Sequence, residues 1–143
     1  MKKCRLNSRQ LEELYALEVS SYNQDEAYSP QFIEELNNEE SINILTECRN
    51  NQLIGFVIYQ KEKDRVHIID IIVMGKYRRC MVGYGLLRKV EEAMQSLQIE
   101  YYAEVRESNI ASIKCFEKAG YEKKRIIKGY YENPIENAIV MMK

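Results

Sequence analysis

Glu104 opens the run Glu104-Val105-Arg106-Glu107-Ser108-Asn109 and follows Tyr101, Tyr102 and Ala103. A carboxylate on a strand with such neighbours loses solvent, burial favours its neutral form, and a raised pKa makes it a better general base near neutral pH. A structural ion pair with Arg106 or with a neighbouring strand is an equal reading of the same residue. Upstream lies a basic loop, Gly75-Lys76-Tyr77-Arg78-Arg79-Cys80-Met81-Val82-Gly83-Tyr84-Gly85, between an apolar run and an amphipathic one. A strand, a basic glycine-bearing loop and a helix start make an anion site. The free N–H groups of a first helical turn point at the ligand, the helix dipole favours negative charge, and glycine lets an anion reach the backbone. Neither the P-loop spacing nor the Rossmann fingerprint is present, and a packing role for Gly83 and Gly85 is as good a reading of the glycines alone.

Other chemistry is sparse. The single histidine, His67, has no partner near it in sequence and reads as structural. Cys4, Cys48, Cys80 and Cys115 are far apart, without a CxxC or Cys/His cluster, so neither a zinc site nor a disulfide framework is expected. The chain has 143 residues, 45% hydrophobic and 30% charged, with a net charge of −1. That describes one ordinary globular domain over residues 1–143, with no global pull toward nucleic acid. The apolar run 68–74 is short and interrupted by Asp70, so no membrane span is expected, and cytoplasm is the default location. Charge is locally uneven. Residues 24–48 hold acids and no Lys or Arg, while 76–89 hold Lys76, Arg78, Arg79, Arg88 and Lys89 and no acid. Each run alone reads as a solvated face; together they suit a protein handling one anionic and one cationic ligand.

The elements that must position these residues follow from caps and periodicity. Asn7 or Ser8 caps a helix through Leu11, Leu14, Leu17 and Val19, and Ser29-Pro30 starts a second with Phe32, Ile33 and Leu36 on one face. Strands are expected at 42–49, 53–60 and 66–74, the first two joined by Asn50-Asn51-Gln52. A helix at 83–97, a strand at 100–106, a helix from Ser108 or Asn109 to Gly120, and strands at 121–128 and 138–142 complete the order, with a short strand at 3–6. Gly129-Tyr130-Tyr131 and Asn133-Pro134 fall in the last turn. A β-α-β-α centre implies parallel neighbours, hence a mixed α/β or α+β domain.

Two motifs resemble a known family. Tyr77-Arg78-Arg79 followed by Gly83-Tyr84-Gly85-Leu86-Leu87 looks like the acetyl-CoA loop of the GNAT acetyltransferases, with Met81 where the first glycine is usual. The run from Glu104 to Asn109, with Ser112, Phe116, Gly120 and Tyr121, resembles the ribosomal-protein-alanine and protein N-terminal acetyltransferases, as does the tail from Lys128 to Ala138, where Asn137 replaces an Asp. The likeness runs nearly the whole chain, including Ala27-Tyr28-Ser29 in place of Pro-Trp-Ser.

The resemblance implies a GNAT-like single domain, its mixed central sheet of six to seven strands splayed in the middle and flanked by about four helices. It implies acetyl-CoA as cosubstrate and no metal. The acceptor would be a peptide or protein N-terminus, or a small amine, and the chain a monomer or homodimer. Glu104 takes the family's general-base position. Ile71, Ile72 and Val73 take the strand that pairs with the pantetheine arm. Arg78, Arg79, Cys80, Met81, Val82, Gly83, Tyr84 and Gly85 take the pyrophosphate loop, and Asn109 a contact to the arm. Phe116 stands where the family has an acidic tyrosine, so Tyr130 or Tyr131 is expected to supply the proton, or water. The acceptor is expected between residues 22–28 and the turn at 130–133, attracted by the acidic stretch beside the first.

Overall fold

The computed structural model describes residues 5–22, 27–78, 81–94 and 98–143. Asn7 starts helix α1 (Ser8–Ser21) with a capping box: its side chain accepts from the Gln10 N–H at 2.9 Å, and the Gln10 side chain accepts from the Asn7 N–H at 2.9 Å. Ser29 caps α2 (Pro30–Asn38) by accepting from the Phe32 N–H at 3.1 Å, with proline at the first helical position. Strands β1 (Ile42–Arg49) and β2 (Gln52–Lys61) are joined through Asn50 and Asn51, at φ 52° and 62°. Two left-handed residues match the twist of a hairpin, and asparagine tolerates that conformation. Then come β3 (Arg65–Val73), a 3-10 turn (Gly75–Tyr77), α3 (Val82–Met94), β4 (Glu100–Arg106), α4 (Ile110–Lys118), β5 (Glu122–Tyr131) and β6 (Glu136–Met142).

The strands form one mixed sheet in the order β1-β2-β3-β4-β6-β5. Helices cover both faces. Val82, Leu86, Leu87 and Val90 of α3 and Ile113 and Phe116 of α4 pack on one face, against Ile68, Ile71, Ala103 and Val105. Leu14 and Leu17 of α1 and Ile33 and Leu36 of α2 pack on the other, against Phe56, Ile58 and Ile72.

Two irregularities matter for the site. The first is a β-bulge. Ile58 pairs with Asp70 and Tyr59 with Ile68, so Ile69 is an extra residue in β3. Strand side chains alternate between faces, and one extra residue reverses the alternation beyond it. Ile68 packs with the α3/α4 core, whereas both Ile69 and Ile72 pack with the α1/α2 core. Asp70 lies directly opposite Ile58, a residue of the α1/α2 core, so the bulge delivers Asp70 toward α1. The second is a splay. The parallel β3–β4 ladder runs only from Arg65–Glu100 to His67–Tyr102. From there β4 continues along β6, and the β4-facing edge of β3 is left open.

Several expectations shift. Tyr130 and Tyr131 belong to β5 and not to the turn, because pairing continues past a bulge at Gly129 to Tyr131 opposite Glu136. Residues 132–135, including a cis Asn133–Pro134 bond, make the connection. The short strand at 3–6 falls partly outside the described residues; Arg5 and Leu6 are not strand, and Leu6 exchanges two 3.0 Å hydrogen bonds with the Asn37 side chain. Helix α3 is described as far as Met94.

Candidate active site

The splay between β3 and β4 opens into two adjoining cavities that share Tyr22, Ile71, Arg106, Asn109 and Ser112. The larger, about 800 Å³, runs along Ile71, Ile72 and Val73 to the start of α3 and the flank of α4. Its charged lining is Lys76, Arg78, Arg106, Lys114 and Lys118, with no carboxylate among the described residues. The smaller, about 160 Å³, sits in the splay between α1 and α4 and carries Glu18, Asp70 and Glu104, with Arg106 at its wall. One end suits an anion and the other a cation.

The larger cavity is built by local rules. Met74 N–H bonds to Ile54 O at 2.7 Å, ending β3 against β2, and the 3-10 turn then swings the chain into the basic loop. Arg78 folds back to donate from Nε to Val73 O at 3.1 Å. Met81, the residue before α3, has φ 65° and is exposed. A left-handed conformation is what glycine adopts without cost, which explains the usual glycine at this place. Gly83 has a packing reason: a Cβ there would sit 2.6 Å from Cys115 Sγ, so it is the point where α3 meets α4. Gly85 faces open space and, like Val82, does not line either cavity. Of the other loop residues, Met81, Gly83 and Tyr84 line the larger cavity, while Arg79 and Cys80 lie outside the described residues. Asn109 caps α4, accepting from the Ser112 N–H at 3.1 Å, and also lines both cavities. Cys115 borders the larger cavity as an inert thiol, since burial pushes its pKa up to about 11.

In the smaller cavity Glu104 projects toward the α1/α2 side. Tyr130 donates its hydroxyl to Glu104 Oε1 at 3.2 Å. His67 Nε2 lies 3.2 Å from Oε2, at ion-pair distance. The His67 ring stacks on Tyr102 with centroids 4.5 Å apart, and the Tyr102 hydroxyl donates to Glu62 at 2.9 Å. The pKa expectation for Glu104 is overturned. Burial alone lifts it, but the hydrogen bond and charge of His67, with Tyr130 and Arg65, outweigh burial and hold it below the usual carboxylate range. The ion-pair partner is likewise His67, because Arg106 is committed elsewhere. It donates to Glu136 Oε1 and Glu132 O, each at 3.2 Å, and lies 4.3 Å over the Tyr131 ring.

Tyr131 lines the smaller cavity, and Tyr130 packs edge-on against it at 4.9 Å. Their placement depends on Gly129, at φ 62°, whose N–H donates to Asn137 Oδ1 at 3.0 Å. Phe116 is buried, packs edge-on against Tyr121 at 4.9 Å, and shows one edge to the smaller cavity. Among the described residues, the acidic stretch 24–48 does not supply the cavity's charge; Asp25 and Glu26, in the segment expected to flank the acceptor, lie outside the described residues. Glu34, Glu35, Glu39 and Glu40 are exposed, and Glu47 pairs with Lys89 at 2.6 Å. The carboxylates are instead Glu18 and Asp70, and the extra cations are Lys114 and Lys118. A pointer to Glu18 existed, since it sits seven residues after Leu11 on the apolar stripe of α1.

The sequence over residues 9–121 matches the Acetyltransferase (GNAT) family. The chain belongs to the GNAT acetyltransferase family. Within it, the chain is 39% identical over 100 residues to the ribosomal protein bS18-alanine N-acetyltransferase of Haemophilus influenzae, covering 64% of this chain and 65% of that protein. It is 36% identical over 80 residues to an N-alpha-acetyltransferase of Saccharolobus solfataricus, covering 52% and 46%. The chain thus spans from about half to about two thirds of these relatives. The GNAT fold itself is matched along almost the whole chain. The crystal structure of the Escherichia coli ribosomal-protein-S18-alanine N-acetyltransferase superposes with a TM-score of 0.80 at 24% identity, over 97% of this chain and 90% of that one. Ard1 from Thermoplasma volcanium superposes with 0.84 at 22% identity, over 98% and 94%.

The residues present fit an acetyl-CoA arm and its phosphates. The open β3 edge offers unpaired backbone to the amides of the arm, and a cavity of about 800 Å³ lined, among the described residues, by five cations and no acid suits a polyphosphate. Among the described residues no group of His, Cys, Asp or Glu is arranged to hold a metal, and no helix is long and apolar enough to cross a membrane.

Proposed function

We propose that this chain is an acetyl-CoA-dependent N-acetyltransferase whose acceptor is the N-terminal α-amine of a protein, such as a ribosomal protein. One observation carries the reading: a cavity lined, among the described residues, by cations and no acid runs along an open strand edge and meets a carboxylate-lined cavity holding Glu104. The bS18-alanine and N-alpha-acetyltransferase relatives supply the choice of acceptor.

When bound, the thioester supplies an acyl carbon to the amine nitrogen and a sulfur that departs as thiolate. The chain does the rest. Lys76, Arg78, Lys114 and Lys118 hold the phosphates, with the start of α3 at Gly83 and Tyr84, and Ile71–Val73 align the arm through their free edge. Glu104 takes the amine's proton, directly or through one water. Its lowered pKa keeps it ionised at neutral pH, where it is a modest base. That suffices for an α-amine, with a reference pKa of about 7.7–8.0, better than for lysine at about 10.4. His67 holds the carboxylate in place through its 3.2 Å contact to Oε2. Tyr130 is tied to Glu104, so Tyr131 is the hydroxyl available to protonate the thiolate. Burial pushes the Tyr131 pKa up, with smaller contributions from Tyr130 and Glu104, which makes it a reluctant acid. Thiolate, with a reference pKa of about 8.5, needs little help.

A second reading, acetyl-CoA binding without turnover, draws on Phe116 in the acid's place. Thiol release measured over N-terminal peptides, lysine peptides and small amines, with mass analysis locating the acetyl group, separates these. Transfer confined to α-amines is expected; transfer only to side-chain or small amines overturns the acceptor choice, and binding without release overturns the enzyme.

A further inference from the structure

Glu104 sits in a row of the sheet that continues past the cavities. It pairs directly with Val140 of β6, and Val140 pairs directly with Arg125 of β5. Residues directly opposite one another on neighbouring antiparallel strands project to the same face. The flanking rows run Ala103–Met141–Lys123 and Val105–Ile139–Ile126, and their β4 and β6 members pack in the α3/α4 core. Strand side chains alternate, so the row Glu104–Val140–Arg125 faces the other way. A bulge makes this so. Lys123 pairs with Met141 and Arg125 with the next residue, Val140, which leaves Lys124 as the extra residue in β5. Without it Lys124 would stand opposite Val140, and Arg125 would fall in the Ile139 row on the α4 side.

Arg125 is exposed, and no described residue gives it an ion pair or a hydrogen bond. Its charged neighbours on this face are paired: Glu104 with His67 and Tyr130, Arg106 with Glu136. Lys123, Lys124, Arg125 and Lys128 against Glu122 alone make residues 122–128 strongly basic in a chain of net charge −1. Lysines on an edge strand discourage pairing with another chain, and these serve that purpose whichever way they point. A bulge that turns one arginine to the face of Glu104 needs a different reason. The packing under α1 and α2 takes its strand residues from β1, β2 and β3, so a ligand leaving Glu104 along this face meets β6 and then β5.

We infer that Arg125 is a specificity-determining residue: its guanidinium pairs with a carboxylate on the third or fourth residue of the acceptor. The spacing sets the register. Neighbouring strands lie about 4.8 Å apart, so Arg125 is about 9.5 Å from Glu104 across β6, the length of roughly three extended residues. The inference rests on reading the cavity at Glu104 as the acceptor site of an N-terminal acetyltransferase. To that reading it adds a substrate class, proteins with an acid close behind the N-terminus.

An uncharged peptide given Glu, Gln or Lys at its third, fourth or eighth residue tests this. Thiol release is followed for the parent, Arg125→Gln and Arg125→Glu, and the same peptides are titrated calorimetrically into each protein without acetyl-CoA. Arg125 is exposed, so neither substitution disturbs the core. The parent is expected to favour Glu over Gln at the third or fourth residue by about threefold or more in kcat/KM, through KM, the scale of an exposed ion pair. It should ignore the charge at the eighth. Arg125→Gln should abolish the preference and Arg125→Glu should turn it toward Lys, with acetyl-CoA affinity unchanged in both. A merely structural role would not reverse the sign. Indifference of the parent to charge at both near positions overturns the inference, as does a preference that survives Arg125→Gln. If no peptide turns over, calorimetry decides: a Glu preference lost in Arg125→Gln keeps the pairing and removes the acetyltransferase reading, whereas equal binding removes both.

Discussion

Met81 holds a left-handed conformation, φ 65°, that costs an ordinary side chain roughly 1–2 kcal/mol. Met81→Gly removes that strain and adds roughly 0.5–1 kcal/mol of backbone entropy loss, so a net gain of about 0.5 kcal/mol is expected. The larger consequence is for binding, because Met81 lines the larger cavity at the start of α3, where a glycine lets an anion approach the backbone. Calorimetry should show Met81→Gly binding acetyl-CoA more tightly than the parent; weaker binding would mean that the methionine itself makes the contact. Phe116 is the opposite kind of departure, a missing hydroxyl. Phe116→Tyr sends an oxygen into a core otherwise formed by Ile113, Ala119 and Tyr121, or into the cavity that Phe116 already lines. In the first case an unpaired hydroxyl costs roughly 1–3 kcal/mol. In the second, kcat rises by up to about 10²–10⁴. We expect the second, with acetyl-CoA affinity unchanged. A flat rate in Phe116→Tyr beside a fall in Tyr131→Phe would leave the proton with Tyr131 alone.

Helix α3 meets α4 at Gly83, and the bulge in β3 turns Asp70 to α1, so two points of element geometry set the site. At the first, Gly83→Ala puts a methyl 2.6 Å from Cys115 Sγ. Overpacking of this kind costs roughly 1–3 kcal/mol. Denaturant midpoints should fall in Gly83→Ala and recover by more than half when Cys115→Ala is added; no recovery would place the clash elsewhere. At the second, the folded pKa of Asp70 lies above its unfolded value. The stability it contributes is therefore fully present below about pH 4 and is lost as pH climbs toward the folded pKa, because the unfolded chain releases the proton first. Asp70→Asn cannot release it. Its melting temperature should exceed that of the parent at about pH 7.5 and converge with it near pH 4. A constant gap at both would show that Asp70 titrates alike folded and unfolded. Caps and turns were legible at this scale because their causes are local: Asn7, Ser29-Pro30, Asn50-Asn51 and Asn109 each act within a few residues. The bulge at Ile69 was not. It arises from how β2 and β3 register, and in sequence Asp70 is only a polar residue inside an apolar run.

Across the whole molecule, the order of elements could be read from the chain, but the acids of the smaller cavity other than Glu104, and the partners that complete the site, could not. Glu104 and the basic loop stand in motifs of contiguous residues. His67 reaches Glu104 across the last rung of the β3–β4 ladder, and Glu18 reaches Asp70 from a helix on the far side of β1 and β2 in sequence. Lys114 and Lys118 join the phosphate end only because α4 packs beside α3. Long-range contacts also reversed the expected pKa of Glu104, since burial was legible and the contact with His67 was not. The central claim is that Glu104, ionised and held by His67 and Tyr130, receives the proton of an α-amine beside a thioester bound at the open edge of β3. The most direct test is single-turnover acetyl transfer from acetyl-CoA to an N-terminal peptide by the parent and by Glu104→Gln, with acetyl-CoA affinity measured on both. The account predicts transfer by the parent and a loss of about 10²–10⁴ in Glu104→Gln at unchanged affinity; full transfer by Glu104→Gln, or tight binding with no transfer by the parent, would contradict it.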